Sequence, residues 1–254
     1  MAGRKRKQLT ASLLLLLCAI LFPIALHADD SGLIVSVGTS HKFNKKLSVG
    51  AEAEFRSRNH FRTADRFSVG GDVSYKVLPW LKAAAGYTLL LDNNREKLTF
   101  QDDGEGYNNW RPSYWGLRHR FNVTLTGSYK VQRVEFSLRE RWQYTYRPST
   151  TIDNFDFDEG DWEDHEVKGK GKNVLRSRLQ LEWDIPKCKF DPFANIEFYT
   201  THQLDKTRLN IGVDHSVKKK HNFKVFYRYQ FVNGSDDDGE PNIHMLGLGY
   251  TYKF

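Results

Sequence analysis

Leu47-Ser48-Val49-Gly50-Ala51-Glu52-Ala53-Glu54-Phe55-Arg56 alternates without a break. Leu47, Val49, Ala51, Ala53 and Phe55 share one side of an extended chain, and Ser48, Gly50, Glu52, Glu54 and Arg56 share the other. Successive side chains of a strand point to opposite faces, so the segment reads as a strand with one oily and one charged face. A wall whose outer face meets lipid and whose inner face meets a polar lumen needs this pattern along every strand.

Working outward from this segment, the period persists. Phe67, Val69, Gly71, Val73, Tyr75 and Val77 alternate with Arg66, Ser68, Gly70, Asp72, Ser74 and Lys76. Leu81 to Leu91, Phe121 to Tyr129, Leu175 to Ile185, Thr207 to Val217, Phe223 to Phe231 and His244 to Phe254 repeat it. Leu33 to Phe43, Val134 to Tyr146 and Pro192 to Thr200 do so less cleanly, giving eleven candidate strands. Short connections (44–46, 78–80, 131–133, 186–189, 218–221) take turns with mostly longer ones (57–65, 92–116, 148–173, 202–206, 232–242), as when a barrel carries tight turns at one end and loops at the other. Proline cannot donate to a ladder, and apart from Pro192 at a strand start every proline beyond the leader falls in a connection. Aromatic residues gather at two levels. Phe43, Tyr75, Tyr129, Trp183, Phe223, Tyr250 and Tyr252 lie near the short turns, and Phe55, Phe67, Phe121, Trp142, Tyr144, Phe198 and Phe231 near the loops, where interfacial girdles belong.

The expected fold is therefore an all-β, antiparallel, up-and-down transmembrane barrel of about ten to twelve strands. An odd count leaves the first strand with three placements: beside a hidden twelfth strand, outside the wall, or closing the barrel in parallel with the last. Glu140 falls on the oily face between Leu138 and Trp142, which predicts a bulge there or a strand reaching beyond the bilayer.

Residues 1–28 read as a signal peptide, with Arg4 to Lys7 as the basic region, Ala11 to Leu26 as the apolar stretch and cleavage expected after Ala28; residues 29–254 are the barrel. Removing those four bases from 38 leaves 34 against 31 acids, a net charge of +3, so the basic balance gives no reason to expect nucleic acid. No apolar run beyond the leader is long enough for a membrane helix. Cys18 leaves with the leader, and Cys188 alone forms no internal disulfide.

The ending Leu246-Gly247-Leu248-Gly249-Tyr250-Thr251-Tyr252-Lys253-Phe254 resembles the C-terminal strand by which bacterial outer-membrane barrels are recognised for assembly. Together with Lys45 to Val49, Trp80 to Tyr87 and Phe226 to Gln230, it makes the chain resemble an uncharacterised Gram-negative outer-membrane barrel family, a domain of unknown function. That resemblance implies an outer-membrane location, contact with lipid and lipopolysaccharide, and handling by the barrel-assembly machinery through the strand ending in Phe254. It supplies no catalytic residues.

Function is sought on the inward face. Arg56, Arg66, Arg118, Arg120, Arg176, Arg178 and Arg208 are expected in its outer half together with Arg141, and Arg139 and Arg228 nearer the middle. Glu52, Glu54, Asp72 and Glu182 share that face at mid-height or below. Such a collar suits carboxylate or phosphate solutes, because guanidinium groups stay charged and bind oxyanions through paired donors. The same residues could instead fill a narrow bore as a salt-bridge network. The leading reading is a narrow porin-like channel for small polar or anionic solutes. The alternative is a closed structural or surface barrel whose acidic loops (101–105, 153–161, 235–240) bind lipopolysaccharide or a partner. A rim hydrolase built on His60, His119, His165, His202 or His244 is the third, and none of these has diagnostic neighbours. No cofactor or metal site is expected: the acidic run at 153–161 departs from calcium-loop spacing and reads as a solvated loop.

Overall fold

A computed structural model describes residues 30–101, 106–186, 188–233 and 240–254, so the expected leader lies outside the described residues. Fifteen strands follow in order: β1 (Asp30–Lys42), β2 (Leu47–Arg58), β3 (Thr63–Leu78), β4 (Leu81–Asn94), β5 (Lys97–Phe100), β6 (Tyr107–Arg111), β7 (Tyr114–Val131), β8 (Val134–Arg147), β9 (Thr150–Asp156), β10 (Asp161–Val167), β11 (Lys170–Trp183), β12 (Phe190–Thr200), β13 (Leu204–Val217), β14 (His221–Val232) and β15 (Ile243–Lys253). Eleven close a barrel in the order β1-β15-β14-β13-β12-β11-β8-β7-β4-β3-β2.

The wall is antiparallel as expected except at one seam, and of the three placements the odd count leaves for the first strand the barrel takes parallel closure. Strand β1 runs parallel to β15, from Asp30 beside Ile243 to Ser40 beside Lys253. The cause is arithmetic: staves that alternate up and down around a closed ring of odd number must leave one pair pointing the same way. A small apolar cluster seals this seam from inside, where Ile34, Ile243 and Met245 pack with Phe226. Gly247 makes that packing possible, since a Cβ there would sit 2.1 Å from the Phe226 ring.

Elsewhere the barrel is inside out relative to a water-soluble fold. Val69 (63%), Val123 (51%) and Leu125 (50%) are exposed on the outer face, whereas Thr124 (5%), Gln143 (5%) and Asn210 (6%) are buried within. Aromatic contacts mark both ends of the outer face. Phe55–Phe67 (5.0 Å) and Tyr87–Phe121 (5.1 Å) lie toward the loops, and Phe223–Tyr250 (5.2 Å) and Tyr252–Phe254 (4.8 Å) toward the short turns. Glu140 produces no bulge: its strand keeps register with both neighbours, and the carboxylate accepts a 2.6 Å hydrogen bond from Ser177 on the same outer face. Pro192 pairs with β13 but lies beyond the last residue paired with β11, so its missing N–H leaves that ladder intact. The turn between β13 and β14 has Lys218 and Lys219 both at positive φ (52° and 59°), with Lys220 N–H bonded to the Val217 carbonyl at 3.1 Å, the mirror-image turn that suits strand twist.

Two long connections expected as solvated loops are sheet instead. All four staves β4, β7, β8 and β11 break for two residues (95–96, 112–113, 148–149, 168–169), Pro112 and Pro148 among them. Beyond this crease the chain resumes as β5, β6, β9 and β10, a sheet ordered β10-β9-β6-β5 that repeats the order of the staves below it. One face is a row of rings: Trp110–Trp162 (5.5 Å), Trp162–Phe155 (5.3 Å), Phe155–Phe157 (5.1 Å), Phe157–Tyr107 (5.4 Å) and Tyr107–Phe100 (5.4 Å). On the other, Asn154 is buried (1%), accepting from Arg111 and donating to Asn109 and Glu163. The acidic run at 153–161 belongs to this hairpin. Asp156 accepts the backbone N–H groups of Asp158 and Glu159, and Gly160 takes a positive φ (71°), so these residues serve the turn.

Candidate functional site

Every inward position follows from the alternation and is fixed by the register between staves. Arg139 on β8 lies opposite Arg178 on β11, Arg141 opposite Arg176, and Glu135 opposite Glu182. Along the next staves Glu197 of β12 lies opposite Arg208 of β13, which in turn lies opposite Gln230 of β14. The inner wall is thus basic toward the loops and through its middle. Toward the short turns it is acidic, where Asp191 lies opposite Asp214 and Asp214 pairs with Lys224 at 3.3 Å.

Of the cavities inside the barrel, two lie one above the other. The upper, of about 180 Å³, is lined by Arg56, Arg66, Arg118, Arg120, Arg176 and Arg208 with Gln143, Tyr199, Lys206 and Glu240. The lower, of about 260 Å³, is lined by Arg139, Arg141, Arg178 and Arg228 with Glu52, Glu54, Glu197, Phe193 and Phe226. Arg56, Arg120, Arg176 and Arg208 line both, and so form the boundary between them. Asp72 lies deeper on β3, its carboxylate over Gly50, and Glu182 lies nearer still to the short turns beside Glu135. Eleven staves is not far above the eight at which side chains fill a barrel, so these long residues occupy much of the bore.

Some of the arginines are neutralised. Asp92 pairs with Arg66 and, at 3.1 Å, with Arg118. Glu197 pairs with Arg139 and, at 3.1 Å, with Arg176, and accepts from Tyr199, whose hydroxyl also accepts from Arg208. Arg56 pairs with Glu54 at 2.7 Å. Others meet only neutral groups: Arg120 donates to Thr145 (3.3 Å), Arg141 to Thr124 (2.9 Å) and Arg228 to Asn210 (2.7 Å). Among the described residues Arg120, Arg141, Arg178 and Arg228 have no carboxylate within ion-pair distance. At the mouth, Glu240 reaches in from the connection before β15, accepting from Lys206 (2.6 Å) and Gln230 (2.9 Å). Burial alone would raise its carboxyl, but Lys206, and beyond it Arg208 and Arg66, hold it well below the usual carboxylate range.

Sequence reasoning did not select Asp92, Tyr199 or Glu240. Asp92 had been read as the start of a loop, although it continues the even-numbered inward face of β4 after Leu90. The rim histidines form no nucleophile–base pair in the described hydrogen bonds: His119 bonds Tyr87 and His244 bonds Tyr227, both on the outer face among aromatic rings.

Comparison with solved structures returns barrels. The β domain of the Bordetella autotransporter BrkA superposes with a TM-score of 0.50 at 13% identity, covering 80% of this chain and 78% of that one. The NanC porin gives 0.47 at 14%, covering 89% and 99%, and the CymD monoaromatic hydrocarbon channel 0.41 at 10%, covering 76% and 66%. No curated protein matches the sequence. The family described as "Protein of unknown function (DUF2490)" matches residues 32–240, most of the 254-residue chain and ten of its eleven staves entire or nearly so, and the chain belongs to that family.

Proposed function

We propose that this protein is an integral outer-membrane barrel, exported with a cleaved leader and assembled through its last strand, that passes small polar or anionic solutes by diffusion. The exposed apolar band between two aromatic levels supports the membrane setting, because an oily surface of that extent is costly in water and at home in lipid. The observation that carries the anionic preference is the boundary between the two cavities, built from Arg56, Arg120, Arg176 and Arg208. Arg56 and Arg176 are each paired with a carboxylate, whereas Arg120 and Arg208 meet none among the described residues, and such fixed positive charge in a narrow polar bore attracts anions and raises the barrier for cations without any chemical step. The test is reconstitution into a planar bilayer under a potassium chloride gradient. A reversal potential of the sign for chloride preference is expected; no conductance above the bare bilayer overturns the reading.

A closed barrel is the second reading, and the two three-membered clusters centred on Asp92 and Glu197 favour it, since each ties three successive staves together on the inner wall and fills space in the bore. In that case the surface that acts is the projecting sheet, facing lipopolysaccharide or a partner. Heat-modifiable migration on a gel without conductance is its signature.

A further inference from the structure

The middle of the lumen carries a two-by-two block of arginines. Arg139 and Arg141 on β8 stand directly opposite Arg178 and Arg176 on β11. Like charges facing each other across a ladder are destabilising, and two such pairs in succession compound the cost. Only Glu197 enters the block from β12, and it is already shared by Arg139 and Arg176. Arg141 keeps one neutral acceptor, Thr124, and the buried Nε groups of Arg139, Arg176 and Arg178 find no acceptor among the described residues. Within the block four guanidinium groups share one carboxylate, and around the polar cavity of about 260 Å³ that they face, Glu52 and Glu54 are outnumbered by Arg56, Arg120, Arg208, Arg228 and Lys224, so positive charge stays in surplus. If these residues served only to plug the bore, glutamine would fill the same space with no repulsion.

We infer that this block is a binding site for a tetrahedral oxyanion of charge −2 or more, the phosphate or sulfate group of a small solute. Charge sets the first requirement, because a single halide leaves most of the surplus in place. Geometry sets the second: a planar carboxylate presents two oxygens in one plane, whereas a tetrahedral group turns oxygens toward arginines on both β8 and β11 at once and suits their forked donors. The cavity is a little below the roughly 300–1,000 Å³ of sites for drug-sized ligands, which limits the organic body of the solute to a small one. The inference rests on the anion-pathway reading for how the solute arrives, though binding itself does not require through-flow.

Pyrophosphate serves as the probe. Full-length protein in detergent is titrated calorimetrically with pyrophosphate, with succinate, and with chloride at matched ionic strength, and the same preparations are reconstituted for conductance. Pyrophosphate is expected to bind and to block chloride current. The Arg141→Gln/Arg178→Gln variant, which spares both partners of Glu197, is expected to weaken binding about tenfold or more, while Arg133→Gln in a short turn changes nothing. Pyrophosphate that binds no tighter than chloride, succinate that binds as tightly as pyrophosphate, or binding that survives in the double variant overturns the inference. Conductance that is anion-selective but indifferent to pyrophosphate overturns it too, with the channel intact. Arginine-dependent binding in a barrel that conducts nothing supports the site and removes the channel reading alone. Unchanged heat-modifiable migration of the double variant shows that lost binding is not lost folding.

Discussion

The projecting sheet continues four of the eleven staves that enclose the lumen, across a two-residue crease, and the two regions hold together by different means. Below the crease, residues from separate staves meet across an enclosed space, and charge pairs such as Arg139–Glu197 join β8 to β12 although these strands are not neighbours. Above it, β5, β6, β9 and β10 contact one another through ring stacking on one face and the Asn154 network on the other. The charge differs as well: the lumen concentrates arginine, while the hairpin of β9 and β10 exposes Asp153, Asp164 and Glu166. A closed wall can keep like charges together because the hydrogen-bonded ring of staves gives them nowhere to go. An open sheet has no such constraint and relies on local packing.

That contrast is best broken from the lumen side. Glu197→Ala leaves Arg139 and Arg176 buried without their counter-ion, and the barrel is expected to lose about 3–5 kcal/mol, read as a lowered urea midpoint in liposomes. A shift under about 1 kcal/mol would mean that water in the bore already screens these charges. Above the crease, Asn154→Ala removes the acceptor of Arg111 and the donor to Asn109 and Glu163, at a cost of about 1–3 kcal/mol. This loss should appear as faster amide exchange confined to 97–111 and 150–167, with the urea midpoint of the barrel unchanged. Coupled loss in both regions would show that they form one cooperative unit.

The mouth, where the regions meet, responds to pH. Because Glu240 is held well below the ordinary carboxylate range, its bond to Lys206 contributes stability that is complete above the unfolded-state value near 4.3 and is lost as pH falls below it. The melting temperature of the wild type should therefore fall more than that of Glu240→Gln between pH 6 and pH 3; parallel curves would remove Glu240 from the account. Smallest of all, Lys218→Asn/Lys219→Gly should raise stability by about 0.5–1 kcal/mol by relieving two positive-φ positions at the opposite end of the barrel, without altering conductance.

Period-two alternation marks the staves because each must separate oil from water along its whole length, and the eleven read from sequence correspond to the eleven of the wall, with ends shifted by a few residues. Alternation is the same whichever way a neighbour runs, so the odd count raises parallel closure but does not separate it from a hidden twelfth strand or a first strand outside the wall. The sheet of β5, β6, β9 and β10 escaped notice because its strands are short and its polar face carries Asn109, Asn154 and Glu163, which read as loop residues when their partners are unknown. Chain spacing likewise reveals which arginines face inward but not which carboxylate each meets: Asp92 joins Arg66 of β3 to Arg118 of β7 from the stave between them.

The parallel seam has a consequence for how the molecule is made. Thr39 donates to the carbonyl of Tyr252, 213 residues away, so the last join unites segments from the two ends of the described chain. No hairpin can nucleate that join, and contacts of such separation form slowly because the intervening chain must already be ordered. Until it forms, the first and last strands each present an open edge, able to pair with whatever strand lies nearby. A chain that stops short of β15 would therefore stay an open sheet in search of a partner instead of settling into a smaller ring.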